Sequence, residues 1–400
     1  MDAVARTNHS ARKAPPAEGP AQAYLAHEPV GAGRICVTSP YPMGMLSGIG
    51  RFVVDLRQAL VSRGVQVDVI SPASTTESST DSFHSIPLRW AILQNVELAL
   101  RTGLLLLRRS RRFAVIHAQQ AHLQSVATLL LARITGAPGL LTLHLRVPRP
   151  AGGFRRLMLA LTEWLAIHAA SKVIAVSQSV AESFEGPEAL VIENGVDTNR
   201  FAPVLDREAL RKSLGLGPSP TFVFAGRWSR TKGLDLLLRA ATGTALRDLD
   251  FRLLILGEPA RGELGLIEET VPKPSPNRLR VVGRLSEDEL PLYLCAADVF
   301  VLPSRIEGMP IVALEALACG VPLLVSDIPA LRSLILGAGA GWTFRSEDVG
   351  DLERAIKEIL STGPGPDQRV RAREEAIRRY SLDTMATRYL GLYEEELRNR

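Results

Sequence analysis

Residues 299–327 read VFVLPSRIEGMPIVALEALACGVPLLVSD. The apolar runs VFVLPS and PLLVSD have strand composition, and the segment between them carries helix signals at both ends. Pro310 suits the first helical position, where its missing N–H would lack a partner anyway, and Gly320 followed by Pro322 supplies the stop. These signals predict a helix of about three turns. Strand, helix and strand packed this closely form the repeating unit of a parallel sheet, because parallel neighbours cannot be joined by a tight turn.

Glu307 and Gly308 fall in the loop just before that helix. Backbone amides from Gly308 onward and the positive end of the helix dipole therefore converge on one spot, which suits an anion or a sugar hydroxyl. Ile311, Leu314 and Ala318 form the expected buried stripe, with Glu315 at its edge beside Val312. A carboxylate there is costly without donors, and ligand hydroxyls would supply them. The plain alternative is that Glu307 caps the helix and Glu315 lies on a solvated face.

The same unit repeats along the chain. RICVTS, a helical stretch from about Gly50 to Arg63, VQVDVIS, FAVIHA, GLLTLHL and KVIAVS make one series; TFVFAG, a helix from about Leu234, FRLLILG, LRVVG and the opening stretch make a second. Between them ENGVDTNRFAP, residues 193–203, is polar, glycine-bearing and ends in proline, which marks a boundary. A chain of 400 residues has room for two such domains. The expectation is an α/β protein with two doubly wound, Rossmann-like domains, residues 33–200 and 201–381, facing each other across a cleft at the carboxyl ends of their strands. Residues 1–32, rich in Ala and Pro, are expected to form a flexible tail. Periodicity alone does not assign the last helix, residues 382–398, to either domain.

Composition narrows the classes. With 46% hydrophobic and 22% charged residues the chain is neither disordered nor fibrous. Cys36, Cys295 and Cys319 contain no C-x-x-C pair, which argues against a disulfide framework or a thiolate zinc site and for a reducing cytoplasm. No apolar signal core opens the chain and no apolar run is long enough to span a bilayer, so neither secretion nor a spanning helix is expected. Residues 1–200 carry 20 basic and 14 acidic side chains, residues 201–400 carry 27 and 28, so the net charge of +5 belongs to the first half. Within it, residues 85–175 hold 12 basic residues against only Glu97 and Glu163.

A second chemical segment is FAGRWSRTKG, residues 224–233. Arg227 leaves the strand at its carboxyl edge, and Lys232 leads through Gly233 into a helix. A planar fork and a mobile point charge together suit a diphosphate, although two solvated surface bases would read the same way. The loop YPMGMLSGIGRF carries Gly44, Gly48 and Gly50 without G-x-G-x-x-G spacing, so a nicotinamide dinucleotide is not indicated, while a close approach of Gly48 to phosphate is open. His144 ends the strand GLLTLHL on the crevice side, with either a structural or a chemical role. Asp248 and Asp250 precede FRLLIL at the amino edge of the sheet, the wrong end for a ligand, so no metal is expected. No P-loop, H-E-x-x-H or G-x-S-x-G is present.

Taken together these motifs resemble the retaining glycosyltransferases of family four, over roughly residues 34–395. The most specific part is the pair Glu307 and Glu315, separated by seven residues, preceded by GRLSEDELPLYLCAADVFVLPS. GRWSRTKG is similar to the family's diphosphate motif, ENGVDTNRF to its interdomain segment, and SGIGRFVVDLRQALVSRGVQVDVIS to its first glycine loop and helix. The resemblance implies the GT-B architecture, with the last helix crossing back to the first domain. It implies that Arg227 and Lys232 bind the donor diphosphate and Glu315 the ribose hydroxyls. Glu307, with the backbone of Gly308, Met309, Pro310 and Ile311, would hold the transferred sugar. Arg284 and Leu285 would border the base, and Gly48 would belong to the phosphate and acceptor loop. His144 matches the family's crevice histidine, so the implied catalytic set is Glu307, Arg227, Lys232 and His144. Many members have Asp after that histidine; here Leu145 follows.

The expected reaction is metal-independent transfer of a sugar from a nucleotide-diphosphate donor to a hydroxyl acceptor, with no cofactor. The alternatives are a nucleotide-sugar epimerase on the same architecture and a non-catalytic nucleotide-sugar-binding partner subunit. For the basic segment two readings stand: a surface for an anionic acceptor or the cytoplasmic leaflet, giving peripheral contact at the inner membrane face, or a set of solvated helix faces. Nucleic acid is not an expected partner, because aromatics are 5% of the chain and no basic stretch is interleaved with stacking rings.

Overall fold

The computed structural model describes residues 33–43, 48–73, 83–86, 94–109, 112–146, 152–260, 262–271, 278–336 and 339–400. The tail expected over residues 1–32 lies outside them, as do Gly44 and the basic residues Arg89, Arg111 and Arg149.

The first lobe runs β1 (Arg34–Thr38), α1 (Gly48–Val61), β2 (Val67–Pro72), β3 (Phe83–Ile86), α2 (Gln94–Arg109), β4 (Phe113–Gln119), α3 (Leu123–Thr135), β5 (Gly139–Leu143), α4 (Phe154–Ala169), β6 (Lys172–Ala175), α5 (Gln178–Ser183) and β7 (Leu190–Val191). Its strands form one sheet in the order β3-β2-β1-β4-β5-β6-β7, every pair parallel. The second lobe runs α6 (Arg207–Ser213), β8 (Thr221–Ala225), α7 (Leu234–Thr242), β9 (Arg252–Leu256), α8 (Leu266–Thr270), β10 (Leu279–Gly283), α9 (Glu289–Ala296), β11 (Val299–Leu302), α10 (Ile311–Ala318), β12 (Leu323–Ser326), α11 (Pro329–Leu336), β13 (Gly341–Phe344), α12 (Val349–Thr362), α13 (Pro366–Tyr380) and α14 (Leu382–Arg398). Its sheet, β10-β9-β8-β11-β12-β13, is also wholly parallel.

Helices on both faces bury these sheets, which is why β1, β5, β8, β11 and β12 read as nearly unbroken apolar runs. In each lobe the strand order reverses beside the first strand, between β1 and β4 and between β8 and β11. The crevice of a doubly wound sheet lies at the carboxyl end of that reversal. Here the segments leaving β1, β4, β8 and β11 begin at Ser39, Gln120, Gly226 and Pro303.

The chain crosses between lobes twice, side by side. Val196 N–H donates to the Tyr380 carbonyl at 2.7 Å, and Leu382 N–H donates back to Val196 at 3.0 Å. After the second crossing α14 packs on the first lobe, where the Tyr393 hydroxyl meets His117 Nδ1 at 2.8 Å and the Tyr389 hydroxyl meets Thr142 Oγ1 at 3.2 Å. One apolar cluster joins the lobes, running from Leu143, Val176 and Val180 to Met309 and Leu314.

Three details differ from the sequence reading. Helix α10 has 8 residues, about two turns, and Pro310 is its extended cap residue (ψ 115°), because the chain still has to leave the sheet at that point. Its apolar stripe widens to bury Ala313 through Ala318 on all sides, while Ile311 is only half-buried. Cys295 and Cys319, distant in sequence, are neighbours in the fold, both free and buried, with the Cys295 thiol donating to the Ala202 carbonyl at 3.1 Å.

Candidate functional site

Two loops of the second lobe are pressed together by backbone. Gly233 has φ +69°, and a Cβ there would lie 1.8 Å from the Pro303 carbonyl oxygen, so only glycine lets the loop after β8 lie on the loop after β11. That contact delivers Lys232 to Glu307. The Lys232 Nζ donates to Glu307 Oε1 at 2.7 Å, and the same oxygen accepts from the buried Ser304 hydroxyl at 2.7 Å. Arg305 pins the loop from behind with a two-pronged contact to Asp235 at 2.7 and 3.0 Å.

Arg227 differs from Lys232. It is exposed, and among the described residues it has no hydrogen bond or ion pair. Its charge acts across the cleft on Tyr41, whose phenol burial pushes up and Arg227 pulls back. Arg284 lies farther out, past β10, 3.8 Å from Glu258, beside the buried Leu285. Gly48 is the exposed first residue of α1, two residues earlier than the helix start expected from sequence.

The segment before α10 is where the lobes meet. Ser177 Oγ donates to the Gly308 carbonyl at 2.8 Å, and Asn194 Nδ2 donates to the Met309 carbonyl at 2.8 Å. A Cβ on Gly308 would fall 1.7 Å from the His144 carbonyl oxygen. Among the described residues nothing accepts from the N–H of Gly308 or Met309, and Ile311 opens the helix with no acceptor of its own. His144 is buried, its ring edge-on to Phe52 at 4.7 Å, with Nε2–H donating to Gln119 Oε1 at 2.9 Å. Burial lowers its pKa to about 3, so the ring is neutral.

Glu315 is buried without a hydrogen bond to its carboxylate among the described residues, and burial pushes its pKa up to about 7 against the pull of Arg51. Arg51 belongs to α1 of the other lobe. Its Nε donates to both oxygens of Asp55 at 2.9 Å, and its Nη1 lies 3.7 Å from Glu287, which Arg200 also reaches at 3.0 Å. Burial pushes Asp55 up to about 6 despite that partner. Sequence reading singled out none of Arg51, Asp55, Ser177, Arg200 or Glu287, and read Asn194 only as part of a linker. The one available signal was the Arg51–Asp55 i, i+4 pair on the otherwise apolar buried face of α1.

The family model described as "Glycosyl transferases group 1" matches residues 206–379, and that described as "Glycosyltransferase Family 4" matches residues 46–200. The chain is a family-four glycosyltransferase. It is 27% identical over 398 residues to the glycogen synthase of Mycobacterium tuberculosis (strain CDC 1551 / Oshkosh), covering 90% of this chain and 94% of that one. The fold matches the sucrose-phosphate synthase of Thermosynechococcus elongatus with a TM-score of 0.77 at 21% identity, over 92% of this chain and 100% of the other. It also matches Anabaena HepE in complex with UDP-glucose, with a TM-score of 0.75 at 19% identity, over 92% and 100%.

In this glycosyltransferase the structure brings Lys232 to Glu307, Gly308 to His144, and Glu315 into the field of Arg51. Among the described residues Arg227, Arg284 and Gly48 have no hydrogen bond or ion pair with another expected site residue. Asp248 and Asp250 are exposed ahead of β9, where Asp250 accepts from Ser219 Oγ at 2.8 Å. The arrangement offers two cations, unmatched amides at a helix start and an under-donated carboxylate around one seam. Such groups stabilise negative charge and bind hydroxyls.

Proposed function

We propose that this glycosyltransferase transfers a sugar with retention from a nucleotide-diphosphate donor to a hydroxyl acceptor, without a metal. The observation that carries the reading is the ion pair of Lys232 with Glu307, beside Arg227 and the amides of Gly308 and Met309, all three without a hydrogen-bond partner among the described residues. Breaking the bond from the anomeric carbon to the phosphate oxygen leaves positive charge on the sugar and negative charge on the diphosphate. Arg227 and Lys232 stabilise the second, and Glu307 positions the first. The new bond forms from the acceptor oxygen on the same face, and the acceptor proton passes to the departing phosphate. Glu315 accepts from the ribose hydroxyls the hydrogen bonds that its buried carboxylate lacks among the described residues, Arg284 and Leu285 border the base, and Gly48 and His144 face the acceptor.

The UDP-glucose bound by HepE on a similar fold supports a nucleotide-sugar donor. Three free cysteines support a reducing, cytoplasmic setting, and the basic segment at 85–175 supports an anionic or lipid-linked acceptor with peripheral membrane contact. The test is transfer from a panel of labelled nucleotide-diphosphate sugars, with the anomer of the product read by NMR. Retained configuration and activity in chelator are expected. An inverted product, or activity abolished by chelator and restored by a divalent ion, would overturn the reading; donor isomerised without acceptor would make it an epimerase.

A further inference from the structure

Two consecutive glutamines, Gln119 and Gln120, close β4 where the strand order of the first sheet reverses, and the parallel neighbour β5 brings His144 beside them. Side chains alternate along a strand, so the two reach different parts of the same residue. Gln119 is wholly buried, and its Oε1 accepts from His144 Nε2–H at 2.9 Å. Gln120 takes the backbone. Its Oε1 accepts from the N–H of His144 at 3.0 Å and of Leu145 at 3.3 Å, while its Nε2 donates to the Leu145 carbonyl at 2.7 Å.

Both contacts are held against a local penalty. Gln120 has φ +61°, the left-handed region, which among the described non-glycine residues only Glu347 shares. Its N–H donates to the Thr142 carbonyl at 2.7 Å and its own carbonyl accepts from Ser125 Oγ at 2.6 Å, so the turn is fixed from both ends. Gln119 keeps a buried Nε2 with no partner among the described residues, and an unmatched amide in a core destabilises the fold. Leucine would fill that space without the penalty. What glutamine supplies there, and leucine cannot, is an acceptor for the ring of His144.

A neutral imidazole has one N–H, and the nitrogen that keeps it decides what the other presents. Burial keeps the His144 ring neutral, and the titratable groups clustered behind it are uncharged too: His117, lowered by burial, and Tyr389 and Tyr393, both raised by it. His117 spends both nitrogens inside the fold, on Tyr393 and Thr142. His144 spends one. With the proton on Nε2, Nδ1 carries a lone pair and has no partner among the described residues.

We propose that Gln119 is a positioning residue that fixes His144 as the Nε2–H tautomer, so that Nδ1 meets the substrate as a hydrogen-bond acceptor, with Gln120 clamping the backbone that carries the ring. Gln119 acts only through His144. The consequence for rate rests on the transfer reading above. The His144 carbonyl lies against Gly308, the neighbour of Glu307, where that reading builds positive charge on the sugar. A lone pair turned toward that charge stabilises it, whereas an N–H or an imidazolium opposes it.

The experiment reads the ring and the rate separately. In the full chain labelled with ¹⁵N-histidine, long-range ¹H–¹⁵N spectra, with His144 assigned by its loss in His144→Gln, should show a protonated Nε2 and a bare Nδ1. In Gln119→Leu the proton should pass to Nδ1, since Nε2 has lost its acceptor, and the thermal midpoint should hold or rise as the unmatched amide is removed. Its kcat should fall by about tenfold or less, and Gln119→Leu with His144→Gln should be no slower than His144→Gln alone. Gln119→Glu keeps an acceptor but adds a charge. A proton taken up by that Glu–His pair leaves N–H on Nδ1 whichever partner carries it, so kcat/KM should gain an acid limb that the parent lacks. The parent spectrum and Gln119→Glu decide the matter if Gln119→Leu misfolds. Three results would overturn the proposal: Nδ1–H in the parent, losses in Gln119→Leu and His144→Gln that multiply, or a flat profile in Gln119→Glu. An inverted product would instead overturn the transfer reading and leave the tautomer assignment in place.

Discussion

The two halves of the site are built by opposite means. In the second lobe, residues 226–233 and 303–315 are two short stretches locked by backbone contact, and glycine is obligatory at 233 because the Pro303 carbonyl occupies the space of its Cβ. In the first lobe, Arg51, His144, Ser177 and Asn194 arrive from separate parts of the chain and reach the seam mostly through side chains. One half is a preorganised pair of loops; the other is an assembly that exists only when the lobes are docked. Preorganised groups carry transition-state charge, and docking groups carry geometry.

That difference predicts unequal losses. Arg227→Ala and Lys232→Ala should each lower kcat by about 10²- to 10³-fold, the range for losing one preorganised donor to developing charge. Arg227→Ala is the cleaner variant, since among the described residues Arg227 has no hydrogen-bond or ion-pair partner that its loss would orphan. Lys232→Ala also strips the nearly buried Glu307 of its cation, so its thermal midpoint should fall while that of Arg227→Ala holds. Ser177→Ala and Asn194→Ala should cost far less in kcat. Single-turnover rates that fall equally in all four variants would erase the distinction between the halves.

Gly308→Ala attacks the docking directly. The new methyl group overlaps the His144 carbonyl, so the lobes must part or the loop must shift, at about 1–3 kcal/mol for overpacking. A melting temperature lower by a few degrees, with a rise in KM as the seam opens, is the expected result. A variant as stable and active as the parent would mean that the lobes do not close on this contact in solution.

The same contrast explains what the chain disclosed before its structure. Both sheets were legible because their central strands are buried on two faces and read as apolar runs, as in residues 221–225 and 299–302. The strands the sequence reading did not name, β3, β7 and β13, all lie at sheet edges and lack the unbroken apolar run of the central strands, with Ser85 in β3 and Thr343 in β13 and only two residues in β7. In the site, Arg227, Lys232, Glu307 and Glu315 stood out because their loops need glycine and a helix start. Arg51 and Glu287 did not, since a charge on an amphipathic helix, as at 51, or in a polar turn, as at 287, carries no mark of the neighbour it will meet across a seam. Helix α10 was read too long because its all-round burial removes the periodicity that would have dated its end.

Glu315 gives the next effect, read against pH. Its carboxyl is held at about 7 in the fold and has an ordinary value of 4.5, so the native state binds the extra proton between those values. Native stability therefore falls as pH rises from 4.5 to 7, by about 3 kcal/mol in all, and Glu315→Gln should flatten that slope in urea titrations. A nucleoside diphosphate whose ribose hydroxyls donate to the ionised carboxylate should bind more weakly below pH 7, by up to about tenfold per unit, with release of a proton. Affinity independent of pH in the parent and in Glu315→Gln alike would remove the ribose from this carboxylate and leave it to the field of Arg51 and Arg200.

The smallest effect is expected at His144. Its Nε2–H is committed to Gln119 and burial holds its pKa near 3, so the ring is neutral at every working pH. The kcat/KM profile should show no limb near 6.5 from this residue, and His144→Gln should lower activity by about tenfold or less, below the usual range for a general acid or base. Its larger signature is in stability. A histidine whose folded value lies below its unfolded 6.5 contributes stability that is complete above 6.5 and lost as pH falls toward 3, because the unfolded chain takes up the proton first. His117, buried beside Tyr393 and Thr142, is lowered to about 3 by the same desolvation and adds to the slope. Acid unfolding of His144→Gln should therefore be less steep than that of the parent. A pH–rate limb near 6.5 that vanishes in His144→Gln would show the ring titrating during turnover, and would move it from the docking half of the site to the chemical one.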